Sequence, residues 1–140
     1  MNLSMETLLT RERVIELHAI GIARHSQASL AIGKPSEDCV DGKIGNAWTS
    51  EAYRDEDEDT LPGLCFAGYL LYYLVRGHCF PDGNKRASWA ASMDVLARLG
   101  LTVDATEDEA YELVIAIAEG KIDNGIHVVQ WISRRLKAPD

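Results

Sequence analysis

Residues 61–100 read LPGLCFAGYLLYYLVRGHCFPDGNKRASWAASMDVLARLG. Leu61 to Val75 is a nearly unbroken apolar run of about 15 residues, and Ala87 to Leu99 is rich in alanine. The first run is short for a membrane span and is interrupted by glycine, so it reads as a core helix. Between the two runs, His78-Cys79-Phe80-Pro81-Asp82-Gly83-Asn84-Lys85-Arg86 concentrates turn formers and polar groups. The stretch is therefore two buried helices joined at a polar turn, the second starting at about Asn84.

Working outward, Thr10 can cap a helix in which Val14, Leu17, His18 and Ile22 recur at helical spacing. Downstream, Gly100 ends the second buried helix and Leu101 to Val103 form a short extended link. Thr106-Glu107-Asp108-Glu109 has capping-box form and opens a helix carrying Leu113, Val114 and Ile117, which Gly120 stops. A last helix from about Gly125 is expected to bury Ile126, Val129, Ile132 and Leu136 before a polar tail. Residues 26–60 are the least helical, with Gly33, Pro35, Gly42 and Gly45; Lys43 to Ser50 (KIGNAWTS) can form a β-hairpin turning at Gly45-Asn46. The expectation is an all-α, mainly helical single domain over residues 1–140, with about six helices and a short β-hairpin.

At 140 residues the chain can bury one core but not two, and with 46 % hydrophobic residues it is not a disordered tail. Its net charge of −8 argues against direct nucleic-acid binding, which leaves a basic footprint. Asp55-Glu56-Asp57-Glu58-Asp59 reads as a solvated acidic loop, with selection of a basic target as the other reading. Met1 to Thr10 lacks the basic and apolar pattern of a secretory signal. Cys39, Cys65 and Cys79 are odd in number and have no paired metal spacing, so they are expected to be free thiols in a reducing cytoplasm. His25 and His127 have no companions at ligand spacing, and His18 belongs to the core or its boundary.

The joint carries the chemistry. Histidine titrates near pH 6.5, so His78 can take a proton from a hydroxyl nucleophile. Asp82 offers hard oxygen ligands that suit magnesium shared with substrate phosphates. Gly83 lets the backbone turn so that the amides of Gly83, Asn84 and Lys85 can point inward together, at the positive end of the following helix. Lys85 and Arg86 add full charges, and Arg86 can grip phosphate oxygens in bidentate fashion. Phe80 reads as a buried anchor. Pro-Asp-Gly-Asn is also an ordinary interhelical turn, but a plain turn does not require His four residues before Asp and Lys-Arg directly after Asn.

The spacing His-x-Phe-x-Asp-Gly-Asn resembles the signature of the Fic/Doc superfamily, most closely its Doc (death-on-curing) branch. In most Fic adenylyltransferases a glycine follows the motif asparagine and a second arginine lies three residues beyond the first. Here Lys85 and Trp89 occupy those positions, and Asn-Lys-Arg is similar to Doc toxins, although Doc members commonly have Ala where this chain has Gly83. The resemblance extends through Arg76 and Val114 to Asp123 (VIAIAEGKID) and covers about residues 8–136.

The resemblance implies a toxin of a toxin–antitoxin system that transfers the γ-phosphate of ATP, with Mg2+, to a Ser/Thr hydroxyl of a protein, a translation elongation factor being the target Doc suggests. Its catalytic residues would be His78, Asp82, Lys85 and Arg86. Arg76, Gly83, Asn84, Lys85 and Arg86 would bind nucleotide, and Asp82 the metal. Arg76 also reads as a cation complementing a helix C-terminus. The resemblance further implies that the 43–50 hairpin is a target-holding flap, with Ile44, Gly45, Asn46, Ala47 and Trp48 lining it; Trp48 reads equally as a contact residue or a buried anchor. A small antitoxin protein is the implied partner; the length of the apolar run and the cysteine usage lead to the expectation of no membrane involvement and a cytoplasmic location. Some Fic proteins inhibit themselves through a Ser/Thr-x-x-x-Glu-Gly/Asn helix; Glu119-Gly120 ends such a pattern, but Ile115 replaces the hydroxyl residue, so control in trans is expected. AMP transfer and a catalytically inert nucleotide- or antitoxin-binding module are the alternatives.

Overall fold

The computed structural model describes residues 4–25, 36–54, 61–80 and 83–137. The described chain runs α1 (Met5–Leu8), α2 (Arg11–His25), α3 (Glu37–Ala52), α4 (Leu64–Gly77), α5 (Asn84–Arg98), β1 (Thr102–Val103), α6 (Glu107–Ala118), α7 (Gly125–Ser133) and β2 (Leu136–Lys137). The mainly helical class holds, with six helices longer than one turn among the described residues and one small antiparallel pair.

The apolar run forms the central helix. Its Phe66, Leu70, Leu71 and Leu74 are fully buried, and α4 packs against α3, α5, α6 and α7. A helix that is apolar nearly all round can be stable only if surrounded in this way. Small residues let the neighbours approach. On α5, Ala87, Ser88, Ala91 and Ser92 are buried, and the Ser92 hydroxyl donates to the Ala67 carbonyl at 2.8 Å. At Gly68, a Cβ would sit 2.9 Å from Val129 Cα and 3.0 Å from its nitrogen, so α7 lies against the bare backbone of α4.

The caps follow the sequence signals. Thr10 accepts from the Arg13 N–H at 3.2 Å, and Thr106 and Glu109 form the expected capping box on α6. Gly100 (φ 77°) and Gly120 (φ 81°) turn the chain after α5 and α6. The entry to α4 uses a remote cap: its N-cap is Gly63, and the buried carboxylate of Glu51, on α3, accepts from the Phe66 N–H at 3.1 Å and from Arg54 Nε at 2.6 Å. No helix among the described residues is long and apolar enough to cross a membrane.

Two expectations fail. Lys43 to Ser50 is not a hairpin; it lies inside the 16-residue helix α3. Ile44 and Ala47 are buried on its core face, Gly45 and Asn46 continue the helix, and half-buried Trp48 anchors it edge-on to Phe66 at 5.4 Å. Ser36 caps α3 by accepting from the Cys39 N–H, and Val40, Ile44, Ala47 and Glu51 bury at helical spacing. That periodicity outweighs the two glycines, neither of which has a heavy atom within 4 Å of a would-be Cβ. The second correction concerns Leu136: it lies beyond α7 in β2, where Val103 pairs with Leu136 and Thr102 with Lys137. This pair follows the C-terminal end of α5, about 22 Å along a 15-residue helix from the motif, too far to act as a flap over it.

Candidate active site

The motif spans the gap between α4 and α5. Helix α4 ends at Gly77, and His78 at its C-cap is exposed and left-handed (φ 51°, ψ 43°), the one non-glycine residue with positive φ among those described. This is the left-handed region, uncommon for a residue with a Cβ but one that histidine enters more readily than most, and it ends α4 by turning the chain away from the helix. Cys79 and Phe80 turn inward and are each 3 % exposed. Pro81 and Asp82, the expected metal ligand, lie outside the described residues. Gly83 (φ 76°) then leads into α5, which begins at Asn84.

Asn84 fixes this loop. Its side-chain carbonyl accepts from the Phe80 N–H at 3.1 Å, and its amide donates to the Phe80 carbonyl at 2.7 Å. Behind the loop stands α2. The buried His18 ring stacks on Phe80 with centroids 4.4 Å apart, and a Cβ at Gly83 would meet Ile22 Cδ1 at 3.1 Å and the His18 ring at 3.6 Å. The left-handed φ favours glycine here, and a Cβ would also require the end of the Ile22 side chain to give by a few tenths of an ångström.

At the start of α5 the first intrahelical bond is Ala87 N–H to Gly83 carbonyl, and Gly83 offers no side-chain cap. The N–H groups of Asn84, Lys85 and Arg86 therefore have no acceptor among the described residues. Lys85 and Arg86 are exposed, and neither forms an ion pair with a described residue. Open amides, the positive helix end and two cations make a donor set suited to polyphosphate. The same two side chains border a cleft of about 720 Å³ between α2, α5 and α6, whose apolar lining includes Leu17, Ile20, Trp89 and Tyr111. Trp89, at the second-arginine position, is half-buried and meets Trp131 edge-on. Another cleft, of about 640 Å³, lies beside β2 and α6 and contains no motif residue.

Arg76 is engaged elsewhere: its guanidinium donates to the Ile117 carbonyl at the end of α6 at 3.2 Å and lies 5.8 Å from the centre of the Tyr72 ring. Glu119 caps that same end of α6 and pairs with Lys121 at 3.1 Å, whereas Lys85 and Arg86 share their cleft with the N-terminal half of the helix.

The third wall is α3, and the sequence did not reveal it. The Ser36 N–H donates to the Cys79 carbonyl at 2.9 Å, the alkyl chain of Lys43 lies across Gly77, and Cys39 is joined to Cys79 by a disulfide. The expectation of three free thiols is thereby corrected; Cys65, which is buried, takes no part in a disulfide. No short-range spacing marks a pair 40 residues apart, and only the packing of α3 on the end of α4 brings its Cα atoms to 5.4 Å.

The model of the Fic/DOC family matches residues 8–96, more than half of the chain, and takes in the loop with all three of its walls. The chain belongs to the Fic/DOC family. A comparison with curated proteins gives no match. Members of the family transfer nucleotidyl or phosphoryl groups to proteins, typically with ATP and magnesium. The start of α5, which has no side-chain cap among the described residues, fits the phosphates of such a nucleotide. No group of three or more metal-ligating side chains converges among the described residues, which do not include Asp82.

Proposed function

We propose that the chain is a Doc-like toxin, a kinase that moves the γ-phosphate of ATP to a Ser or Thr hydroxyl of a cytoplasmic protein, with a translation elongation factor as the candidate target. The observation that carries this reading is the first turn of α5, which among the described residues has no side-chain cap and carries two exposed cations with no ion-pair partner, one loop away from an exposed histidine in the left-handed conformation. Trp89 favours phosphoryl over AMP transfer: it places an aromatic ring in an apolar cleft where a second arginine would grip the phosphate chain from the next turn.

In this mechanism a ring nitrogen of His78 takes the proton of the hydroxyl as its oxygen bonds to the γ-phosphorus, and the bond from that phosphorus to the ADP oxygen breaks. Lys85, Arg86 and the free amides of α5 stabilise the charge gathering on the departing ADP. Asn84 keeps the loop in register, and Asp82 would hold magnesium, which when bound neutralises the phosphates. A small antitoxin with an apolar helix suits the cleft between α2, α5 and α6, where exposed Ile20 and Tyr111 flank the two cations.

The test is transfer of label from ATP labelled at the γ- or the α-phosphate into lysate protein, with His78→Ala as control. Label from the γ-phosphate alone, lost in the variant, is the expected result. Label from the α-phosphate would make the chain an AMP transferase, and ATP binding with no transfer would make it an inert module.

A further inference from the structure

The described part of the motif loop is held from two sides that meet at the Cys79–Phe80 peptide, whose carbonyl accepts from the Ser36 N–H and whose own N–H donates to Asn84. Phe80 is held from α2 and α5, by the His18 stack and the Asn84 clamp. His78 and Cys79 are held from α3, by the Cys39–Cys79 bridge and one hydrogen bond from the Ser36 N–H. The only covalent tie in the site therefore acts on the residue next to the proposed base, and not on the half that carries the phosphate donors. The two cysteines also differ in burial: Cys79 is 3 % exposed, whereas Cys39, in the first turn of α3, is half-buried.

We propose that Cys39–Cys79 is a reversible thiol–disulfide switch, opened by a small dithiol reductant, that sets the position of His78 while leaving the phosphate-binding half of the loop in place. A thiolate of the reductant attacks Cys39 Sγ, the Cys39–Cys79 bond breaks, and Cys79 leaves as a thiolate that takes a proton from solvent. The second thiol of the reductant, losing its proton, then displaces Cys39 from the mixed disulfide; Cys39 is protonated and the reductant departs as a disulfide. The reductant gives up two electrons and two protons, and the two cysteines gain them. A bridge of this kind in a reducing compartment is characteristically transient and redox-sensing. Once it is open, the tie from α3 to Cys79 among the described residues is the hydrogen bond from the Ser36 N–H, and a small misplacement of a catalytic group can cost about a hundredfold in rate.

The consequence for catalysis rests on the proposed transferase reading, so the test has a second readout that does not. The full chain is equilibrated with oxidised or reduced dithiothreitol, its thiols are trapped by alkylation and counted by mass, and amide exchange and γ-phosphate transfer are measured on both forms. The expected result is that Cys39 and Cys79 are alkylated together and only after reduction. Exchange then rises at residues 36–40 and 77–79 but not at 84–88, and kcat falls at least tenfold with KM for ATP nearly unchanged. Cys39→Ser should behave as the reduced form and ignore the reductant. The proposal is overturned if the two thiols never pair in oxidised reagent, if the bridge survives excess reductant in the native protein, or if exchange at 77–79 is the same in both forms. Equal kcat in the two forms also overturns it. Should neither form transfer phosphate while exchange at 77–79 still follows the redox state, the transferase reading fails and the switch stands.

Discussion

Replacing Asn84 by alanine tests how the motif loop is built. The side chain makes two hydrogen bonds to the backbone of one buried residue, at 3.1 Å to the Phe80 N–H and 2.7 Å from its own amide to the Phe80 carbonyl. A net hydrogen bond contributes about 1 kcal/mol, and truncation leaves both Phe80 groups without these partners in a largely dry position, so the loss should be about 2 kcal/mol. For a chain of this size that corresponds to a fall in Tm of about 7 °C. Urea unfolding followed by circular dichroism reads the loss as a lower midpoint at unchanged slope. Lys85→Ala supplies the contrast: being exposed and without an ion-pair partner among the described residues, Lys85 should change stability by less than about 0.5 kcal/mol while weakening ATP binding. An Asn84→Ala protein within about 0.5 kcal/mol of wild type would refute the clamp, because it would mean that water or a shifted backbone satisfies Phe80 equally well.

The left-handed backbone of His78 (φ 51°) predicts that His78→Gly abolishes transfer yet leaves the fold as stable or up to about 1 kcal/mol more stable; a marked loss of stability would show that the imidazole is a structural group. At Gly68, where a Cβ would press on the Val129 backbone, Gly68→Ala should destabilise by about 1–3 kcal/mol, measured by denaturant titration, and an unchanged midpoint would mean that α7 yields without cost. Asp94 links α5 to α2 through Arg13 at 3.0 Å and to Arg98 at 3.1 Å; burial alone would raise its pKa, but the two guanidinium groups outweigh it and hold the carboxyl below its ordinary value. Its contribution is therefore fully present above the unfolded carboxyl pKa, near 4, and is lost as pH falls through the lower folded value. Asp94→Asn should flatten the acid limb of stability against pH, and an acid limb identical to wild type would show the triad to be inert.

Most of the helices could be read directly from the chain because their signals are local. Thr10, Thr106 and Gly100 mark boundaries by capping and by positive φ, and the apolar run at 64–75 is buried on nearly every face. Lys43 to Ser50 misled for the same reason: Gly45-Asn46 is a strong local turn signal, whereas the burial of Val40, Ile44 and Ala47 that overrides it exists only when α3 lies on α4. The motif itself also stood out, since His78, Gly83, Asn84, Lys85 and Arg86 fall within nine residues, and the start of α5 at Asn84 followed from the glycine before it.

What the sequence by itself determined is this set of short-range elements: the helices with their caps, the turn between α4 and α5, and the chemical groups displayed there. Tertiary structure alone decided what surrounds that turn. His18 from α2 stacks behind Phe80, and Cys39 from α3 closes a bridge to Cys79 across 40 residues of sequence. Neither contact has a period or spacing of its own, because each arises where two helices, separately specified, are packed against a third.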